Sequence, residues 1–151
     1  MDKELLGMTQ TGFNVYSIRG DEHMKAHADV SEEILKEAIS KAEYMPPFWI
    51  ESVDLGRVVG KDHCVTVTEE DDVCMVKREG RNIESRVVFN RTAFDTSILT
   101  LGICTDDDGL DTVFTAFFGK KVPKEPNDPN LKESERDESE HFWREHALVI
   151  E

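Results

Sequence analysis

The feature that most constrains the fold is a change of period at Pro46-Pro47. Before these prolines apolar residues recur at a spacing of about 3.6. From Phe48 onward they alternate with polar ones, and β-branched residues become frequent. One chain therefore carries a helical segment followed by strands. Ile34, Leu35, Ala38, Ile39 and Ala42 form a single apolar stripe, with Glu33, Lys36, Glu37 and Lys41 outside it. The helix is expected to begin near Asp29, whose side chain can cap the first turn while Glu32 stands in capping-box position. Asp21 to Ala28 could add a preceding helical turn, and the prolines end the segment.

Phe13 to Ile18 alternates apolar and polar residues and reads as a short strand ahead of the helix. His63 to Thr68, Val73 to Arg78, Glu84 to Asn90, Ser97 to Cys104 and Thr112 to Phe118 are further strand candidates. Glu69-Glu70-Asp71-Asp72, Glu79-Gly80-Arg81-Asn82 and Asp106-Asp107-Asp108-Gly109 suit hairpin loops between them. No connection is long enough for repeated crossover helices, which favours an antiparallel meander. Residues 120–138 carry Pro123, Pro126 and Pro129 among many charges, and are expected to form a long acidic surface loop. A final helix from near Ser139 would put Phe142, Trp143, His146, Ala147 and Ile150 on one side. The expected fold is α+β, a single domain over residues 1–151. An N-terminal helical portion packs on an antiparallel β-meander of about five or six strands, closed by a C-terminal helix, and residues 1–11 fray.

The formal net charge of −14 repels phosphate backbones, so any RNA site must be local, while the same charge suits a protein that occupies a basic partner or simply stays soluble. No stretch approaches the roughly 20 apolar residues that cross a bilayer, and the acidic start Met1-Asp2-Lys3-Glu4 is unlike a signal peptide. A cytoplasmic protein with no membrane partner is expected. Cys64, Cys74 and Cys104 are widely spaced beside β-branched or apolar residues and read as buried, reduced thiols, without the C-x-x-C spacing of zinc or redox chemistry.

The candidate chemistry is sparse. His23 and His27 stand at helical i, i+4 spacing but lack a third ligand at a familiar distance, so two solvated histidines are favoured over a metal pair. Lys77, Arg78, Arg81, Arg86 and Arg91 make the one locally basic stretch, with Glu84 and Arg86 on the same strand face. A phosphate-sized anion could dock there; cross-strand ion pairing is the plainer alternative. His146 falls among apolar residues, where burial would favour the neutral ring. No nucleotide loop, nucleophile elbow or calcium loop is present, and no metal or cofactor is expected.

Thr115-Ala116-Phe117, Gly119, Glu125-Pro126, Ser139, Phe142-Trp143 and His146-Ala147-Leu148 resemble the tail of a family of small uncharacterised bacterial proteins. Its pattern runs T-A-F-x-G, then E-P, then S-x-x-F-W-x-x-H-A-L. A helix followed by a small sheet with basic residues and a Thr-Ala-Phe strand also looks like the RelE/barnase-like ribonucleases. That resemblance implies metal-independent RNA cleavage by the 2′-hydroxyl. It would make His27 a base or acid, Arg78 and Arg86 a phosphate clamp and Thr115 a hydroxyl contact, and His146 would join them only where its ring reaches the cleft. Two functions are therefore expected to compete. One is an RNA-cleaving or RNA-directed domain; the other is a non-enzymatic acidic protein, such as an immunity protein, phage-type inhibitor or nucleic-acid mimic, that occupies a basic nucleic-acid-binding protein.

Overall fold

Ser31 starts the first helix: its Oγ accepts the Ile34 amide at 3.2 Å. Glu32 and Glu33 occupy the first turn and Lys41 the last, the arrangement the helix dipole favours. This helix, α1 (Glu32–Lys41), buries Leu35, Ala38 and Ile39, as its apolar stripe predicts. Its cap is Ser31 rather than Asp29, which lies with Asp21 to Ala28 outside the described residues. The computed structural model describes residues 3–18, 30–77 and 83–149.

The predicted architecture is corrected. Among the described residues strand outweighs helix, 43% against 18%, and strands of several sheets replace the N-terminal helical portion and single meander. The stretch expected to fray contains β1 (Lys3–Met8), which pairs antiparallel with β2 (Asn14–Ile18). After α1 come β3 (Phe48–Asp54), β4 (Gly60–Asp62), β5 (Cys64–Thr66), β6 (Val73–Lys77), β7 (Glu84–Val88), β8 (Phe94–Thr96), β9 (Ile98–Thr105) and β10 (Asp111–Phe118). A 3-10 turn (Glu133–Glu135) leads into α2 (Arg136–Glu145), and β11 (His146–Val149) follows directly. The expected final helix thus ends before His146. Residues 146–149 alternate half-buried and buried, a period of two that fits a strand.

Contacts divide the chain into two units, Met1–Gly60 with Asp95–Lys121, and Lys61–Phe94 with Val122–Glu151. The first holds a sheet of order β1-β2-β10-β9-β3. Its core gathers Leu6, Val15, Leu35, Ile39, Tyr44, Val53, Leu99, Leu101, Ile103, Val113 and Ala116. The Tyr44 hydroxyl donates to Asp111 Oδ1 at 2.6 Å, and the Thr105 hydroxyl donates to the same oxygen at 2.7 Å, so the polar groups brought in with the ring are satisfied. Asp106 Oδ1 accepts the amides of Asp108 and Leu110, and Gly109 takes φ 80°, which makes this acidic run the hairpin turn between β9 and β10.

The second unit holds a sheet of order β5-β11-β7-β6, with Val65, Val88, Ala147 and Val149 at its core. Hairpins β6–β7 and β9–β10 are antiparallel, but β2 with β10 and β7 with β11 are parallel pairs. Those parallel pairs join segments far apart in sequence and rule out one meander. The thiols are free, yet only partly as expected: Cys64 and Cys104 are half-buried and Cys74 is exposed. Burial, with Asp62 and Glu125 nearby, pushes the Cys64 thiol up to about 12.

Candidate anion-binding cavity

The second unit contains a cavity of about 310 Å³ built from three pieces of chain. Hairpin β6–β7 supplies the first wall. Met75 pairs with Arg86 and Lys77 with Glu84, so Met75 and Arg86 stand together on one face and Glu84 follows two residues along. Met75, Glu84 and Arg86 all line the cavity.

Helix α2 supplies the second wall through Glu140, Trp143 and Arg144, which fall on one side at i, i+3 and i+4 spacing. The helix is fastened by its polar groups. Ser139 Oγ donates to the Lys124 carbonyl at 2.6 Å, and Trp143 Nε1 donates to the Pro123 carbonyl at 3.1 Å. Asn127 Nδ2 donates to the Glu84 carbonyl at 3.2 Å, tying the same loop to β7. The segment expected to form a long surface loop is thus pinned at both sides, and it places Glu125, 8% exposed, and Pro126 in the cavity wall. Pinning accounts for the path of residues 120–132, which run without regular structure before the 3-10 turn and α2 take over from Glu133.

Arg86 is the residue that gives this cavity its character. It is half-buried, and its Nε is shielded from solvent without a hydrogen-bond acceptor. A buried donor left unsatisfied costs about 1–3 kcal/mol, and more when the group is charged. A second guanidinium, Arg144, shares the cavity. These two cations share the lining with Glu84, Glu125 and Glu140; beside the apolar surfaces of Met75, Pro126 and Trp143 they can take the charged end of a small anion and pack its remaining atoms.

Of the described residues predicted from sequence to act, only Arg86 lines this cavity. His27 and Arg78 lie outside the described residues, as does His23. Thr115 is buried on β10 in the first unit, opposite Gly102. His146 is not on the apolar side of a helix but at the junction of α2 and β11. Its ring stacks on Phe142 with centroids 3.9 Å apart, Nδ1 donates to the Phe142 carbonyl at 2.8 Å, and Nε2 lies 3.3 Å from Thr66 Oγ1. Both ring nitrogens are thereby engaged in holding the chain reversal. Arg91, another member of the basic stretch, pairs with Asp71 at 3.2 Å. The Asp71 carboxyl sits below its usual range, chiefly because the Thr68 amide donates to it and also because of Arg91.

Sequence reasoning gave Arg144 and Glu140 no place in such a cavity, and met Glu125 and Trp143 only in the tail pattern and, for Trp143, on an apolar helix side. The i, i+4 couple Glu140–Arg144 flanking an indole was the available signal. Among the described residues no group of three or more His, Cys, Asp or Glu side chains could hold a metal, and no helix is long and apolar enough to cross a membrane. The chain matches no family model, no curated protein and no solved structure.

Proposed function

We propose that the chain is a binding protein whose second unit takes a small anionic ligand through Arg86, with Arg144 assisting. The observation that carries this reading is Arg86 itself, a half-buried guanidinium whose Nε has no acceptor, set in the wall of a cavity. An anion supplies the counter-charge that the guanidinium lacks, and charge-assisted bonds to such a group are about twice as strong as neutral ones. The cavity volume of about 310 Å³ lies at the lower end of the roughly 300–1,000 Å³ typical of ligand sites, which suits a small molecule. Calorimetric titration with inorganic phosphate, a branched-chain carboxylate and a ribonucleotide monophosphate tests it. Saturable binding of at least one, weakened about tenfold or more by Arg86→Gln in a protein that keeps its thermal midpoint, is the expected result. Equal heats for the wild-type and Arg86→Gln proteins with every probe would overturn the reading.

A second reading, docking of a basic partner on the acidic surface, is favoured by α2. In α1, Glu32 pairs with Lys36 and Glu37 with Lys41 and Arg57. Asp137, Glu138 and Glu145 of α2 are exposed, and among the described residues none of them forms an ion pair. Added salt should slow capture of a basic partner steeply, because a Debye length of about 8 Å at physiological ionic strength removes long-range steering. Salt-independent capture would count against it.

A further inference from the structure

We infer that the ligand of the arginine-lined cavity is dipolar, a small molecule carrying a carboxylate and an ammonium group, as a free amino acid or a short peptide does. The inference rests on the anion-binding reading and adds the second charge. Two acid–base couples line the cavity, and neither is closed on itself. Glu84 and Arg86 sit two residues apart on one face of β7, about 6.6 Å along the strand, yet among the described residues no ion pair joins them. Glu140 and Arg144 sit at i, i+4 on α2, with the acid toward the N-terminus, the orientation in which such pairs close most readily. Glu140 instead meets Arg136 at 3.7 Å, and Arg144 has no ion pair among the described residues.

Glu84 and Arg86 on the strand wall and Arg144 on the helix wall form no ion pair among the described residues, while Glu140 already meets Arg136, so both signs of charge remain available to a ligand. An anion alone would answer Arg86 and Arg144 while bringing its charge close to Glu84 and Glu140. A dipolar ligand answers the three open groups and adds to the fourth: its carboxylate reaches the guanidiniums and its ammonium Glu84, with Glu140 beside it. Met75 and Trp143 provide an apolar surface between the couples on which an aliphatic side chain can pack. A cation alone would leave Arg86 unanswered. The dipolar class therefore fits the charged groups that these two walls leave open.

Leucine, isocaproate and isoamylamine share one carbon skeleton and carry both charges, the anion alone and the cation alone. Calorimetry should rank leucine, or the dipeptide leucyl-glycine, about tenfold or more above isocaproate, with isoamylamine weakest. Glu84→Gln and Glu140→Gln together should erase that preference and leave isocaproate binding in place, whereas Arg86→Gln should weaken all carboxylate ligands. Isocaproate or phosphate binding as tightly as leucine would overturn the dipolar inference and leave the anion site standing. Tightest binding of isoamylamine, or no binding of any probe, would overturn both.

Discussion

Gly102 lies in mid-strand on β9, between β3 and β10, and its lack of a side chain makes room for an aromatic ring. A Cβ added there would sit 2.6 Å from Phe114 Cζ, 2.7 Å from Thr115 Cγ2 and 2.9 Å from Phe114 Cε1. Carbon atoms pack best at about 3.5–4.0 Å, so each contact falls short by roughly 1 Å. Phe114 can relieve its share by swinging away from Phe48, on which it stacks with centroids 5.2 Å apart, at a loss of about 0.5–1.5 kcal/mol. Thr115 is 8% exposed and cannot move outward in the same way. Replacing a strand glycine also gains up to about 1 kcal/mol through lower unfolded-state entropy, but overpacking typically costs about 1–3 kcal/mol, so the clash wins. Gly102→Ala should therefore lower the unfolding free energy by a net amount of about 1–2 kcal/mol, read as a lower urea midpoint. In a Phe114→Ala background only the Thr115 contact remains, and the penalty should shrink. A Gly102→Ala protein as stable as wild type, or an equal penalty in both backgrounds, would refute the reasoning.

Leu35→Ala should cost about 2–5 kcal/mol, because Leu35 is 5% exposed on the buried face of α1; an unchanged denaturation midpoint would dismiss that packing. Burial first, and the Asp111 carboxylate second, raise the Tyr44 phenol from 10.0 to about 12. The folded chain thus keeps a proton that the unfolded chain loses, so the Tyr44 contribution is full below about pH 10 and is lost as pH rises toward about 12. Alkaline unfolding followed with tyrosinate absorbance checks this, and a Tyr44 that ionises while the fold persists near pH 10 would contradict it. A thiol reagent at mildly alkaline pH should label exposed Cys74 well before Cys64, whose thiol burial holds up at about 12; equal labelling rates would contradict that order.

Local patterns were legible in the sequence, and long-range pairing was not. The stripe from Ile34 to Ala42 gave α1, because helical spacing and burial coincide there. The polar run at Asp106 to Gly109 gave the β9–β10 turn, because its geometry is set by adjacent residues. β1 was missed because Lys3–Met8 has weak alternation and is held by pairing with β2. β11 was read as helix because Phe142 to Ile150 also fits a helical face, and only its pairing with β5 and β7 decides the matter. At the site, Arg86 was recognised by alternation on its strand, but Arg144 and Glu125 reach the same cavity from segments that no local period connects to β7.

Nuclear magnetic resonance of protein carrying isotope-labelled arginine, titrated with inorganic phosphate and with isocaproate, observes the Arg86 Nε–H directly. The account predicts that at saturation this resonance shifts and exchanges more slowly with water, while Arg57 and Arg91, already paired with Glu37 and Asp71, stay unchanged. An Arg86 signal that neither anion moves, or that moves no more than those of Arg57 and Arg91, would contradict it.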